Sequence, residues 1–554
     1  MDTMWWKESV VYQIYPRSFM DSSGDGIGDL KGIISKIDYL KELGVDVVWL
    51  CPIYESPNED NGYDISDYKK IMNEYGTMSE FEELLNALHS NGIKLVMDIV
   101  LNHTSSEHKW FIESRSSISN PYRDYYFWRQ GNKEQEPNNW VSVWGGSAWE
   151  YDESGEYYLH LFSKKQPDLN WDNQTLRYEI YKMMNWWIEK GVDGFRLDAI
   201  NWISKKQPLP DAFKSTKAKY QWGGKYYING PNLHKYLKEM HKEVFSKHNL
   251  MVIGETPGGS IEHAIKFRNE LNMIVHFDLM FIDAGKTKWD IVPWKLSDFK
   301  RIISKWQLGL EVYSWNCLYL NSHDQPRAVS RFGDDTTYRI QSAKLLATML
   351  HMLKGTPFIY QGEEIGMTNV RFDSIDDYRD VESLNLYNQK VIEENKPPEH
   401  ILESIYRVGR DNARTPMQWD NSKNSGFTIG KPWININPNY KEVNVKNELS
   451  NSNSIFHYYK RLIQIRKEFS IVVNGDYHCF LEDDEKIFCY TRTLQTQTLL
   501  VILNFSGEYV VFTLSSRIRY SNYRLLICNY DCNKDECIRK IQLKPYESRV
   551  YLLT

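Results

Sequence analysis

Apolar positions along this chain follow two rhythms that alternate. Short runs such as VVYQIYP, VDVVWLCP, IKLVMDIVLNH, VDGFRLD and LMVIGE are apolar at nearly every position. Between them, KGIISKIDYLKELG, SEFEELLNALHSNG, TLRYEIYKMMNWWIEKG and HKYLKEMHKEVFSKH repeat apolar residues at helical spacing, the first closing at Gly44 and the second at Gly92. The first rhythm predicts strands buried on both faces and the second predicts amphipathic helices, which together mean a parallel sheet covered by helices. Eight strands are predicted, near 10–15, 45–50, 93–99, 194–198, 251–255, 271–277, 315–321 and 355–360. Eight parallel strands separated by helices predict an α/β fold, the (β/α)8 barrel.

Two stretches leave this rhythm. Residues 104–172, rich in Trp, Tyr, Asn and Gly, are too long for a strand-to-helix loop and too aromatic for disorder, so a small inserted domain over the barrel mouth is predicted after strand three. From 475 to 554 short alternating runs (KIFCYTRTL, TLLVILNFS, YVVFTLS, YRLLICNY, ESRVYLLT) predict a C-terminal antiparallel β-sandwich. The barrel itself then occupies 1–103 and 173–474.

The predicted strand ends carry the polar residues. In GFRLDAINWI, Arg196 and Asp198 stand two apart on a strand, so their side chains share a face, and a cation beside a carboxylate keeps it ionised as a nucleophile must be. Asp98, Asn102 and His103 follow strand three, Glu255 ends strand five, and His323 and Asp324 follow strand seven. All fall at the C-terminal mouth, where barrels of this type hold their active sites.

Composition narrows the partners. With 67 basic against 73 acidic residues, a net charge of −6 and no basic block, the chain offers little to nucleic acid or to an anionic membrane. No stretch reaches the length of an apolar membrane span, and the MDTMWWKESVV start, acidic at Asp2, does not read as a signal peptide. Seven cysteines without framework spacing predict reduced thiols and a cytoplasmic protein; Cys532 and Cys537 in CNKDEC are at most half of a zinc site. Aromatic residues reach 14%, with 19 Trp and 37 Tyr, which fits either rings laid against sugar faces or dense packing.

DIVLNH (98–103), GFRLDAINWI (194–203), VIGET (252–256) and NSHDQPR (321–327) resemble the four ordered motifs of glycoside hydrolase family 13, the α-amylase family. QPDLN (166–170) and GTPFIYQGEEIGMTN (355–369) resemble its accessory motifs, the former that of the oligo-1,6-glucosidase subfamily, and the resemblance runs essentially end to end. It implies Asp198 as nucleophile, Glu255 as general acid/base and Asp324 as the third carboxylate that steadies the distorted sugar. A retaining mechanism needs the first two about 5–5.5 Å apart, close to the spacing of neighbouring strands.

The resemblance also implies that His103, Arg196 and His323 bind the reacting sugar, and that Asp60 and Tyr63, with Arg414 as partner to Asp60, hold the non-reducing-end glucose and close the cleft into a pocket. Trp144, Phe162, Gln166 and Phe277 fall where the family lines that pocket and its aglycone side, Trp144 standing in place of Phe. The implied activity is a retaining, exo-acting α-glucosidase that releases α-glucose from short α-1,6-linked oligosaccharides. Ala199, which follows the nucleophile, matches neither the Val of α-1,6-preferring members nor the Thr of α-1,4-accepting ones, so a broad α-1,4/α-1,6 glucosidase or a sucrose hydrolase stays open. Thr256 and Ser322 are further departures beside the motif residues. Sucrose isomerases carry an Arg-Leu-Asp-Arg-Asp segment where this chain reads Phe281-Ile282-Asp283-Ala284-Gly285; the non-enzymatic transporter heavy chains lack the catalytic carboxylates; and no basic cluster for a trehalose-6-phosphate is visible.

The loop DSSGDGIGD (21–29) spaces oxygen donors at alternate positions as a calcium loop does, but Gly32 stands where an EF-hand needs its bidentate Glu. It resembles the subfamily's Ca2+ or Mg2+ loop after the first barrel strand, which implies Asp21, Ser23 (for an Asn), Asp25, the Ile27 carbonyl and Asp29 as ligands in a structural role. A monomer acting on a small oligosaccharide is the expectation for partners.

Overall fold

The structure is a computed structural model of the full chain and describes residues 4–533 and 536–554. Asp2 and the Lys534–Asp535 centre of CNKDEC lie outside the described residues. All eight predicted strands form: β1 (Val11–Ile14), β2 (Val47–Leu50), β3 (Lys94–Val100), β4 (Gly194–Asp198), β5 (Met251–Glu255), β6 (Met273–Val275), β7 (Cys317–Leu318) and β8 (Thr356–Tyr360). They make one sheet in the order β6-β5-β4-β3-β2-β1-β8-β7, the sheet of a (β/α)8 barrel. Every residue of β4, β5 and β8 is buried, which is why these strands read as unbroken apolar runs and do not alternate.

By density of packing the chain divides into two compact units, residues 49–90 with 94–277, and residues 1–48 and 91–93 with 278–554. In the first, β3 to β6 pair in parallel. The register sets Asp98 opposite Arg196, Val100 opposite Asp198 and Gly254 opposite Leu197, so the polar ends of three strands come out level. Gly194 opens β4 because a β-carbon there would lie 2.0 Å from the Met251 carbonyl oxygen. The insertion folds as an antiparallel sheet of Trp128–Gln130, Glu156–Leu159 and Trp149–Tyr151. Trp140, Trp149, Leu159, Trp202 and Tyr227 form its core, so a share of the aromatic excess goes into packing.

In the second unit β1 and β7 flank β8 in parallel. The helix expected over 31–44 is two, Leu30–Ile34 and Ile37–Leu43. They part at Ser35, whose hydroxyl donates to the Gly32 carbonyl at 2.7 Å and competes with the helical ladder. The C-terminal domain pairs β9 (Asp476–Phe480), β10 (Ile487–Leu494), β11 (Gln497–Asn504), β12 (Tyr523–Cys528) and β13 (Ser548–Leu553) in the antiparallel order β9-β10-β11-β13-β12, with a second sheet of Val510–Thr513 and Lys540–Leu543. Ile487, Leu500, Ile502, Phe512, Ile541 and Tyr551 pack between the two sheets. The expectation of reduced thiols is corrected at one place: Cys528 and Cys532 are disulfide-bonded, which also takes Cys532 out of any zinc pair with Cys537. Cys479, Cys489 and Cys537 are not disulfide-bonded. Among the described residues no helix is long and apolar enough to cross a membrane.

Candidate active site

The centre of the first unit's polar cluster is Arg196, buried at 1% exposure. Its Nη1 donates to Asp98 Oδ1 at 2.9 Å and to Asp198 Oδ1 at 2.7 Å, and its Nη2 pairs with Glu255 Oε1. Three carboxylates therefore share one guanidinium. Asp98 is further held by Tyr63 Oη at 2.9 Å and Trp49 Nε1 at 3.2 Å, so it orients the arginine while Asp198 and Glu255 face outward from the strand ends. Glu255 also accepts from the Ala199 backbone N–H at 3.1 Å. Burial raises the Asp198 carboxyl well above the usual range, and Glu255 and Asp98 add to the rise while Arg196 opposes it.

Around this cluster the predicted pocket residues of the same unit converge. Phe162, from the insertion, sets its ring 4.8 Å from His103, 5.3 Å from Trp202 and 6.1 Å from Trp144. Gln166, within QPDLN, donates to Asp60 Oδ2 at 3.1 Å and lies 3.1 Å from His103 Nε2. The insertion thus supplies one wall beside the end of β3. Burial lowers His103 to about 4, so the ring is neutral at working pH. Phe277 follows β6 and is half-buried.

The second unit carries Asp324, His323 and Arg414 in a cluster of their own. Arg410 and Arg414 reach Asp324 Oδ1 at 3.3 and 3.1 Å, and His323 Nε2 stands 3.0 Å from its Oδ2. Burial would raise Asp324, but these three cations and donors outweigh it and hold the carboxyl well below its ordinary range. Gln13 on β1 meets His323 Nδ1 at 2.8 Å, and Tyr15 stacks on the same ring at 6.3 Å and 7°. Asp380, wholly buried, pairs with both arginines and is held at about 2 against the effect of burial.

Arg410, Asp380, Gln13, Tyr15, Trp49 and Trp202 are members of these clusters that motif reading did not assign, whereas Asp98 was among the polar residues it placed at the barrel mouth. Arg410 was visible in principle, since it precedes Arg414 by one helical turn in GRDNARTPMQWD. Asp380 was not, because no spacing links it to either partner.

In the 21–29 loop all proposed donors are oxygens, the set a hard cation needs. The carboxylates are, however, engaged by the loop itself. Asp21 accepts from the backbone N–H groups of Ser23, Gly24 and Gly26 at 2.7–2.9 Å and from Thr428 Oγ, and burial is outweighed so that its carboxyl is lowered. Asp29 caps the Leu30–Ile34 helix through Gly32 N–H and holds Ser22.

Comparison with known proteins adds an independent line. The family model described as alpha amylase, catalytic domain, matches residues 13–475, and that of the alpha-amylase SusG C-terminal domain matches 487–550. The oligo-1,6-glucosidase of Parageobacillus thermoglucosidasius is 61% identical over 100% of this chain and 99% of its own length. That of Bacillus cereus is 59% identical, with 100% of both chains covered. Among solved structures, trehalose-6-phosphate hydrolase of Bacillus licheniformis superposes with a TM-score of 0.94 at 49% identity, covering 99% of this chain and 100% of the other.

Proposed function

The chain belongs to the α-amylase family, glycoside hydrolase family 13, and from that premise we propose that it is a retaining α-glucosidase that takes single glucose units from the non-reducing ends of short α-1,6-linked oligosaccharides. Such enzymes hydrolyse glycosidic bonds with two carboxyl groups, and here one guanidinium, Arg196, spans Asp198 and Glu255. That observation carries the reading, because two carboxyl groups held by one guanidinium are close neighbours, as the pair of a retaining enzyme must be.

In the proposed reaction Glu255 gives a proton to the glycosidic oxygen, while the Asp198 carboxylate attacks the anomeric carbon and forms a glucosyl ester. Water then cleaves the ester as Glu255 takes its proton back, and α-glucose leaves. Asp324, kept ionised by Arg410, Arg414 and His323, accepts hydrogen bonds from the sugar hydroxyls that tighten as the ring flattens. His103, Tyr63, Gln166 and Asp60 close the glucose end; Phe162, Trp144 and Phe277 offer apolar faces. The α-1,6 preference is supported by oligo-1,6-glucosidases at 58–61% identity over the full chain. Fold alone does not decide it, because the isomaltulose synthase of Klebsiella sp. LX3 reaches a TM-score of 0.95 at 43% identity.

Asp21, Ser23, Asp25, Ile27 and Asp29 would hold a Ca2+ or Mg2+ ion, which would supply rigidity to the loop and no chemistry. A cytoplasmic monomer without nucleic-acid or membrane partners fits the mild net charge of −6. The test is initial-rate glucose release from isomaltose, maltose, sucrose, trehalose and trehalose-6-phosphate. Isomaltose is expected to be fastest; a maltose or sucrose rate equal to it would replace the 1,6-specific reading with a broad α-glucosidase.

A further inference from the structure

His103 stands between two amide donors that compete for it. On one side the Asn102 Nδ2 lies 3.3 Å from Nδ1; on the other the Gln166 Nε2 lies 3.1 Å from Nε2. A neutral imidazole has one nitrogen that accepts and one that carries the proton, so it satisfies one of these amides only. Which one prevails decides which nitrogen carries the proton.

Each side has a discriminating neighbour. At Nε2 the Tyr63 carbonyl oxygen is 3.1 Å away and can only accept, which favours a proton there. At Nδ1 the outcome depends on how the Asn102 amide is turned, and Asn102 alone is indifferent. Lys205 removes the indifference. Its ammonium, fully buried, lies 2.7 Å from Asn102 Oδ1 and 2.7 Å from Asp168 Oδ2. An ammonium group donates and never accepts, so the Asn102 atom that faces it must be the carbonyl oxygen. The amide nitrogen is then forced toward Asp168 Oδ2, at 3.1 Å, and toward His103 Nδ1. Asp168 is fixed in turn by the Leu161 N–H at 2.8 Å. Gln166 cannot turn to compensate, since its Oε1 accepts from Ser163 N–H at 3.0 Å.

We propose that Lys205 is a positioning residue which, through Asn102, sets the tautomer of His103 so that the ring carries its proton on Nε2 and donates it to the Tyr63 carbonyl, fixing the ring in the wall of the glucose pocket. Without the lysine, the Asn102 oxygen loses its donor, and only the 3.1 Å contact of Nδ2 with Asp168 Oδ2 opposes rotation of that oxygen onto Nδ1. The ring then carries its proton on Nδ1 and accepts from Gln166 at Nε2, and the Tyr63 carbonyl, beside the glucose pocket, loses its donor. Lys205 never touches substrate, and its ion pair with Asp168 would otherwise read as a buried structural bridge. The inference rests on the assignment of His103 to the sugar-binding pocket for its consequence in catalysis, but the tautomer itself does not.

The test separates the two. Full-length protein labelled with 15N at histidine ring positions is compared with His103→Asn by solid-state NMR, and the difference isolates the His103 signals. The expected spectrum has a protonated Nε2 and an unprotonated Nδ1 in the wild type, with the pattern reversed in Lys205→Met and restored in Lys205→Arg. A wild type protonated at Nδ1 overturns the proposal even where the lysine variant fails to fold. An unchanged tautomer in folded Lys205→Met overturns it as well. In the same variants kcat/KM on isomaltose should fall by about tenfold, the worth of one hydrogen bond in a buried site, and recover with arginine. Absence of any isomaltose hydrolysis by the wild type would overturn the substrate reading and leave the NMR result standing.

Discussion

The backbone N–H of Ala199 donates to Glu255 Oε2 at 3.1 Å, so the residue that follows one proposed catalytic carboxylate holds the other in place. Ala199 achieves this from the left-handed region, at φ +39° and ψ 37°, where a side chain with a β-carbon costs about 1 kcal/mol. Ala199→Gly is therefore expected to melt no lower than the wild type. Ala199→Val, branched at the same strained position, is expected to lose about 1–2 kcal/mol and to melt a few degrees lower. If the side chain here sets linkage preference, Ala199→Val also raises the ratio of isomaltose to maltose rates. Thermal scans and paired rates check both; a valine variant as stable as the wild type would show the backbone to be unstrained.

Asp198→Asn keeps the volume of the proposed nucleophile and removes its charge. Turnover on isomaltose should fall by at least about a thousandfold. The fold should not suffer, because one of three carboxylates crowding Arg196 has gone. Circular dichroism melting beside single-turnover glucose release reads the two effects separately. Retained turnover would remove Asp198 from the mechanism.

Glu363 gives a pH dependence that has nothing to do with turnover. It lies just past β8, and burial, with Glu364 beside it, raises its carboxyl to about 7 although Tyr459, Asn321 and the Tyr360 N–H all donate to it. Between its unfolded value near 4.5 and about 7 the folded protein binds a proton that the unfolded chain does not. Its contribution to stability is therefore complete below pH 4.5 and is lost as pH rises through 7, a matter of about 1–3 kcal/mol. Glu363→Gln mimics the protonated form, its amide nitrogen turned to Tyr459 and its oxygen to Asn321. The variant should outlast the wild type at pH 8 and match it near pH 5, as melting curves across that range will show.

Chelation tests the 21–29 loop. Asp21 already ties the loop to its own amides and to Thr428, so an ion adds to a folded loop and does not create it. EDTA is expected to lower Tm by no more than a few degrees and to leave the initial rate on isomaltose unchanged. Loss of activity on chelation would give the metal a larger part than loop rigidity.

The eight strands were legible because parallel strands covered on both faces leave continuous apolar runs, as β5 and β8 do, and because carboxylates at their ends stand out against that background. Asp198 and Glu255 were visible for this reason. The residues that tune them were not: Asp380 reaches Arg410 and Arg414 across more than a full helix of intervening chain, and Lys205 reaches Asp168 from the far side of β4. Such pairs exist only once the fold has closed, and nothing local marks them. The break at Ser35 was hidden for the opposite reason: a hydroxyl turning onto the Gly32 carbonyl is a purely local event inside a perfect helical pattern.

Arg196 supplies a single positive charge to Asp98, Asp198 and Glu255. Such a pocket has room in its charge balance for one more cation, and the glucosyl cation of the transition state is the guest it fits. Any small hydroxylated amine that is protonated at neutral pH offers the same combination of hydroxyls and positive charge in its resting state. Polyhydroxylated amines, amine buffers among them, should therefore compete with sugar for this enzyme, and the choice of buffer becomes part of any measurement of its affinity.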